Sequence, residues 1–598
     1  MFSIIKDLYR VLTTAQKFSL FRLQFLVILM AFAEVVGVAS IGPFLSLAGD
    51  SSLLTGSSFL AKTYDISGIQ NENDFIFLAG VGVLILLTIA TIISTFTVRY
   101  LLHFAQRLGA NFAATLFTHY MSKSWLFHAS GNSSKLMNNI TIECNRVTVG
   151  IIYPIMVMNA RIVLAIAILT LLLSMNPFIT LIGLFGFAGI YILIFYFVKL
   201  KLAQNGLAVS KNQALRFKLM NEGFGGIKDT LLLGRSYSFN KQFNKASLEL
   251  GYAMGSNSTL NEAPKYWVEL VALGTMVSLV LYLLVANDGN LALILPELGV
   301  FAMASYKLMP AFQQVYGNLT YVKASGPALD SIKVDLLEWK NNQSKLSETS
   351  SFQHQLKSSI ELKDLSFQYP NKVDTALSSV NMKIKSKNII GVVGESGSGK
   401  STLIDIILGL ISPTSGEILI DGISLNSKNK RNWQNSIGYV PQTIFLADAS
   451  IKNNVAFGLH EDDIDEKKVI HSIKLANLEE HIKTLPDGIN SLVGEKGVQL
   501  SGGQRQRIAI ARALYNDPNV IVFDEATSAL DGLTEKVIMD SIYELAQTKT
   551  IILIAHRLNT VKNCDVIYLF EKGKLIDSGS FEEMKNRNSH FKLMAEHS

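Results

Sequence analysis

The sequence predicts two domains of opposite character: an α-helical membrane domain of six spans, then an α/β domain built around a phosphate-binding glycine loop. Three observations carry this prediction. Only 17% of the 598 residues are charged, against the ~25% usual for soluble domains. Apolar residues concentrate before residue 320, where six stretches approach the ~20 apolar residues that a bilayer crossing needs. Beyond them, the turn Gly394-Glu395-Ser396-Gly397-Ser398-Gly399-Lys400-Ser401 separates the apolar run Ile389–Val393 from a helical run beginning at Thr402. The expected boundaries are 1–322 for the membrane domain, 323–354 for a polar linker and 355–598 for the α/β domain.

At the N-terminus, Ile4, Ile5, Leu8 and Leu12 recur at helical spacing opposite Lys6, Arg10 and Lys17. That pattern predicts an interfacial helix along the inner leaflet. The spans follow at 22–47, 75–98, 148–175, 177–198, 267–287 and 291–312. The second and fourth are free of charge, whereas Glu297 and Lys307 interrupt the sixth. No early small-residue cleavage pattern stands out, so the first span reads as an uncleaved signal anchor. Gly183, Gly186 and Gly189 suit close helix packing.

Loop charge sets the orientation. Lys6, Arg10 and Lys17 precede the first span, Arg107, Lys123, Lys135 and Arg146 separate the second from the third, and ten basic residues lie between 199 and 265. On the other side, loop 49–73 sets Lys62 against Asp50, Asp65 and Glu72. Both termini and the α/β domain are therefore expected in the cytoplasm. The cytoplasmic connections 99–147 and 199–266 read as helices leaving the bilayer, broken at His128–Asn132 and at Gly223 and Gly225-Gly226 into short crosswise helices; ordinary flexible loops are the alternative. Loop 51–64 reads either as a small external amphipathic helix or as a plain loop. The net charge of +6 is dispersed, which argues against a nucleic-acid partner. Cys144 and Cys564 lie far apart, without a disulfide or zinc spacing.

The glycine turn has the G-x-x-x-x-G-K-[ST] spacing of a P-loop. Its glycines let backbone N–H groups turn inward around a polyphosphate at a helix N-terminus. Gly394 to Ser398, Gly399 and Thr402 form the cradle, Lys400 reaches the phosphates and the Ser401 hydroxyl is placed for Mg²⁺. Tyr369 either stacks on an adenine or fills the core. Val520–Phe523 reads as a buried strand ending in Asp524, a Mg²⁺ partner, and Glu525, placed to polarise an attacking water as general base. Between these lie Gln442, in Tyr439-Val440-Pro441-Gln442, and Leu500-Ser501-Gly502-Gly503-Gln504 at a helix start suited to phosphate. Ser528-Ala529-Leu530-Asp531 follows the carboxylates, and His556 ends the run Ile551–Ala555.

In this order the residues resemble the ATP-binding cassette of ABC transporters: stacking aromatic, P-loop, Q-loop, LSGGQ signature, acidic strand, D-loop and switch histidine. The resemblance covers the chain, since six spans and one cassette are the layout of an exporter half-transporter of type IV. It implies an ATPase using ATP and Mg²⁺, with two cassettes closing head to tail over two nucleotides. Lys400 and Ser401 of one copy would hold phosphates on which Ser501 and Gly503 of the other close. Glu525 would orient the water, His556 would contact the γ-phosphate, and Gln442 would link Mg²⁺ to the membrane domain. Gly494-Glu495-Lys496-Gly497 is similar to the exporter X-loop. With Glu525 and LSGGQ both intact, a homodimer is the expected assembly.

For cargo, Glu34, Pro43-Phe44, Leu47 and Asp50, with Pro264-Lys265, Glu269 and Tyr306–Pro310, resemble bacterial lipid-linked oligosaccharide flippases. That likeness implies flipping of a polyprenyl-pyrophosphate glycan across the bacterial cytoplasmic membrane, with membrane lipid as a further partner. Glu34, Arg161, Glu269, Glu297 and Lys307 are candidates for a polar pathway, and Arg161 or Lys307 for attracting pyrophosphate. Mutual pairing or snorkelling of these charges is the other reading. Export of another lipid, an amphipathic drug or a peptide is the alternative function. About 20 residues precede the first span, which leaves no room for the leader-cleaving domain of some peptide exporters. A non-transporting ATPase is at odds with six spans.

Overall fold

The computed structural model describes residues 2–49, 54, 59–69, 71–131, 133–175, 177–286, 291–342, 355–370, 372–494, 497–525, 532–555 and 557–596. It divides into two units, Met1–Lys123 with Ser130–Leu346, and Ser124–Ala129 with Ser347–Ser598.

The first unit is helical. Four helical stretches among the described residues are long and apolar enough to cross a membrane: Thr14–Ala48, Glu72–Met121, Ser133–Ser174 and Ala188–Gly225. Helices also run through the fifth and sixth expected spans, at Pro264–Ala286 and Leu291–Asn342, but residues 287–290 and the side chains of 282–298, Glu297 included, lie outside the described residues. The first span starts earlier than the hydropathy suggests because Thr13 caps it. Its hydroxyl accepts from the Gln16 N–H at 3.3 Å while the Gln16 side chain accepts from the Thr13 N–H at 2.9 Å, a reciprocal capping box. Helix Glu72–Met121 has 50 residues, about 75 Å at 1.5 Å per residue. A hydrocarbon core of ~30 Å cannot contain it, so it continues out of the bilayer. At the expected breaks lie two short helices, Trp125–Ser130 and Ile227–Leu232.

Glycines set how closely these helices approach. A Cβ on Gly206 would stand 2.1 Å from the Ala324 carbonyl oxygen, and one on Gly150 would stand 2.0 Å from the Ser325 hydroxyl. Gly189, expected to pack, has nothing within 4 Å; it meets no neighbour in this unit.

The N-terminal helix Phe2–Val11 uses its apolar face against protein. Leu8, Val11 and Leu12 are buried, and Ile4 lies over Gly326. Asp7 pairs with Lys333 at 3.1 Å, and the Lys340 ammonium donates to the carbonyls of Arg10 and Leu12, each at 2.7 Å. The amphipathic pattern was legible; that its partner is the far end of helix Leu291–Asn342 was not.

Of the five intramembrane charges read from the sequence, Glu34 and Lys307 pair with each other. Glu34, 8% exposed, accepts from the Ser94 hydroxyl at 2.8 Å and pairs with Lys307 at 3.3 Å. Arg161 donates through Nε to Gln314 at 2.7 Å. Glu269 is exposed. A further buried pair escaped sequence reasoning: Arg146 binds Glu143 at 2.9 Å, the Ser210 hydroxyl at 2.5 Å and the Gly206 carbonyl at 3.3 Å. It sits between two π-helical turns, Asn139–Glu143 and Thr148–Ile152.

The second unit holds two sheets. Strands β1 (Ser359–Phe367), β2 (Leu377–Lys385), β4 (Ser415–Ile420) and β5 (Ile423–Ser424) form an antiparallel sheet in the order β2-β1-β4-β5. The second sheet contains β3 (Ile389–Gly394), β6 (Ile437–Val440), β7 (Val520–Asp524), β8 (Thr550–Ile554), β9 (Val566–Glu571) and β10 (Lys574–Gly579), in the order β10-β9-β3-β8-β7-β6. All its pairs are parallel except β9 with β10. The apolar runs of β3, β7 and β8 are buried along nearly their whole length, as parallel strands covered on both faces must be. Leu126, from the six residues that group with this unit, packs against a core containing Leu403, Ile407 and Trp433. Its neighbour Trp125 hydrogen-bonds Asp405, whose carboxyl burial pushes up to about 6.

Candidate nucleotide-binding site

The site lies at the carboxyl ends of the parallel strands, where open α/β sheets bind ligands. Strand β3 runs between β8 and β9, so the turn after Gly394 emerges from the middle of the sheet. The turn requires glycine. Gly399 has φ +102°, and a Cβ there would come within 2.7 Å of the Ala376 carbonyl oxygen; one on Gly394 would come within 2.2 Å of the Phe570 carbonyl oxygen. Helix Lys400–Ile407 starts directly afterwards.

Lys400 is 5% exposed. Its ammonium donates to the carbonyls of Gly394 and Glu395 at 2.8 and 2.9 Å, folding over the turn. Burial lowers its pKa, while Glu525 and Asp524 nearby oppose the shift. The Ser398 hydroxyl is buried without a hydrogen-bond partner among the described residues. A cationic nitrogen held only by carbonyls, and a buried hydroxyl with none, fit a polyphosphate bound in the turn. Ser401 and Thr402 open the helix, and the Thr402 hydroxyl shares a 3.1 Å hydrogen bond with the Tyr369 hydroxyl. The Tyr369 ring packs edge-on against Phe367, centroids 5.0 Å apart, and is half-buried beside the core. The ring is thus anchored beside the core, with its hydroxyl at the start of the helix after the turn.

At the end of β7, Asp524 accepts from the Tyr439 hydroxyl at 3.2 Å. Burial and then the Asp524 charge push that phenol's pKa up. Glu525 follows with φ +50°, a left-handed backbone costly for a residue with a Cβ. Its N–H is pinned to the Ile554 carbonyl at 3.1 Å, and its carboxylate accepts from the Gln442 amide at 2.5 Å. Two residues 83 positions apart are thereby brought together as predicted sites.

Ser501 caps helix Gly502–Leu514 in a capping box with Gln504, which also meets His481 Nδ1 at 3.3 Å. Gly502 and Gly503 form the first helical turn. Among the described residues, no hydrogen bond or ion pair joins Ser501–Gln504 to the turn Gly394–Thr402. His556, Ser528–Asp531 and Glu495, all singled out from the sequence, lie outside the described residues.

Sequence reasoning missed Tyr439 and His590. Tyr439 was detectable, since it stands three residues before Gln442 on a strand next to β7. His590 comes from the C-terminal helix to within 3.6 Å of the Glu395 carboxylate, and no local pattern marks it.

Comparisons with known proteins agree with this geometry. Residues 377–528 match the family model described as ABC transporter, and residues 39–254 match ABC transporter transmembrane region. The leukotoxin translocation ATP-binding protein LktB of Pasteurella haemolytica-like sp. (strain 5943B) is 43% identical over 235 residues, 39% of this chain and 33% of that protein. Its counterpart in Mannheimia glucosida is 43% identical over 241 residues, 40% of this chain and 34% of its own length. The matched part thus spans about a third of these curated relatives. The structure of a bacterial Atm1-family ABC exporter with ATP bound superposes with TM-score 0.75 at 20% identity, covering 97% of this chain and 98% of that one. These relatives lend no support to the finer likeness to lipid-linked oligosaccharide flippases. The second unit carries the ATP-binding domain of a transporter, which works with ATP and Mg²⁺. With a transmembrane region of the same kind before it, the chain carries both domains of an ABC transporter, on a fold like that of the exporter structure.

Proposed function

We propose that two copies of this chain form a homodimer that hydrolyses ATP to move cargo from the cytoplasmic side of a bacterial inner membrane. Residues 1–322 would make six spans with both termini in the cytoplasm, and 355–598 the ATPase domain. The observation that carries the catalytic reading is the hydrogen bond from Gln442 to Glu525 at the strand end next to Asp524. Lys400 and the turn N–H groups would hold phosphates, with Ser401, Asp524 and Gln442 toward Mg²⁺. When bound, Mg²⁺ neutralises phosphate charge. Glu525 orients and deprotonates the attacking water, His556 meets the γ-phosphate, and catalysis is mainly positioning. Because the signature Ser501–Gln504 makes no bond to the P-loop of its own chain among the described residues, a second copy would complete each site. Closing and reopening of the pair would switch the membrane helices between inward- and outward-facing states.

The first reading of the cargo is a polyprenyl-pyrophosphate oligosaccharide. Lys307 is taken up by Glu34, which leaves Arg161 as the cation for pyrophosphate. Its bond to Gln314 uses one N–H, and among the described residues it has no carboxylate partner. The second reading is a peptide or polypeptide cargo, favoured by the 43% identity to proteins named for leukotoxin translocation. ATP-dependent translocation of a labelled polyprenyl-pyrophosphate oligosaccharide in proteoliposomes tests the choice, with Glu525→Gln as control. Movement lost in the control supports the first reading. ATP hydrolysis with a stationary glycolipid refutes it and leaves the second.

A further inference from the structure

A cavity of about 300 Å³ in the helical unit is lined by Tyr191, Asn261, Gln313, Gln314, Asn318 and Tyr321, among others. That volume lies at the lower end of the ~300–1,000 Å³ of small-molecule sites. We propose that it holds the sugar portion of the cargo, the hydroxyl- and acetamido-bearing rings next to the pyrophosphate; this rests on the lipid-linked glycan reading above.

The lining is unusual for a membrane helix bundle because it is polar yet nearly uncharged. Its two ionic residues, Lys265 and Glu262, pair with each other at 3.1 Å. Apart from Gly317, the remainder are amides and phenols, which both donate and accept hydrogen bonds, as sugar hydroxyl and acetamido groups require. An apolar cargo would desolvate these groups without replacing their partners.

Tyr191 supplies a specific polar group to the lining. Its ring stacks on Tyr316 with centroids 4.9 Å apart. The Tyr316 hydroxyl donates to the Leu260 carbonyl at 2.9 Å, but the Tyr191 hydroxyl is buried and has no hydrogen-bond partner among the described residues. Buried phenols usually find one. Asn261 is held in place: its Oδ1 accepts from Thr320 at 2.7 Å, and a Cβ on Gly317 would stand 2.9 Å from that oxygen. Gln314 links the lining to Arg161 at 2.7 Å. A guanidinium suits phosphate oxygens through paired N–H donors. A cation and a neutral polar cavity joined through one glutamine match a ligand whose phosphate is joined to a sugar.

The test uses the full-length protein in lipid nanodiscs and two probes: a polyprenyl pyrophosphate bearing a short N-acetylated sugar chain, and the same lipid without sugar. Dissociation constants are measured for the wild type, Tyr191→Phe and Gln313→Ala. The glycosylated lipid is expected to bind about tenfold tighter than the sugar-free one, the yield of one or two net hydrogen bonds. Either variant should erase most of that margin while the sugar-free lipid binds as before. Tyr191→Phe removes only an unpartnered oxygen, so loss of fold is not an explanation for its effect. Equal wild-type affinities for the two lipids overturn the sugar site and leave the lipid reading standing, as do variants that weaken both lipids alike. Failure of both lipids to bind, in protein that still binds ATP, overturns the lipid-linked reading and this site with it.

Discussion

Replacing Lys307 by Met should destabilise the helical unit far more than replacing Glu34 by Gln. The asymmetry follows from burial, since Glu34 is 8% exposed and Lys307 34%. Removing the lysine leaves a carboxylate in an apolar surrounding with a single remaining hydrogen bond, from Ser94 at 2.8 Å. Breaking a fully buried pair costs ~3–5 kcal/mol. With one end a third exposed, we expect ~2–3 kcal/mol for Lys307→Met. Glu34→Gln keeps an acceptor for Ser94, and the freed lysine can extend toward water, so its cost should stay below ~1 kcal/mol. The double variant should recover most of the stability lost in Lys307→Met, giving a coupling of ~1–3 kcal/mol. Thermal unfolding of the four proteins in one detergent, followed by intrinsic fluorescence, measures the cycle. Two results would refute the reasoning: equal losses for the two single variants, or a double variant no better than Lys307→Met.

Glu525→Gln should lower ATP turnover by at least ~10²-fold, the scale of a lost general base, while nucleotide binding by fluorescence titration persists; normal turnover would sink the choice of base. Asp405, its carboxyl raised to about 6 by burial, binds its proton more tightly folded than unfolded. Stability should therefore fall as pH rises from about 4 through 6 and level off above. Asp405→Asn should gain ~1–2 kcal/mol at pH 7 and nothing near pH 3, and an unchanged pH profile of unfolding would count against it. Gly206→Ala should cost ~1–3 kcal/mol by overpacking against the Ala324 carbonyl, whereas Gly189→Ala, with open space around it, should leave the melting temperature unchanged.

The nucleotide site was legible because its determinants are local. A glycine at φ +102° or a lysine after the turn can be read from eight consecutive residues, and strand periodicity placed Asp524 and Glu525 at a strand end. Contacts fixed by tertiary approach were not legible. Mutual pairing of Glu34 and Lys307 could be offered from the sequence, but not chosen over a polar pathway, because the two lie 273 positions apart; Arg146 read only as loop charge, because hydropathy cannot register a cluster buried among extended helices. The start of the first span was misjudged for a related reason: the capping box at Thr13 begins the helix inside a polar segment that hydropathy assigns to water. The cavity was the least legible, since amide and phenol side chains from three helices converge on a space that no single stretch of sequence announces.

The π turns Asn139–Glu143 and Thr148–Ile152 have a consequence for how this protein tolerates change in length. A π turn closes its hydrogen bond one residue later than an α turn, so each is an insertion already absorbed by the helix. Deleting one residue inside either turn should collapse it to plain α geometry and keep the flanks in register. Deleting one between Tyr153 and Arg161 should rotate everything beyond by about 100°, at 3.6 residues per turn, carrying Arg161 away from Gln314. The segment around Arg146 is thus the one stretch of this helix where the chain can shorten without turning its faces.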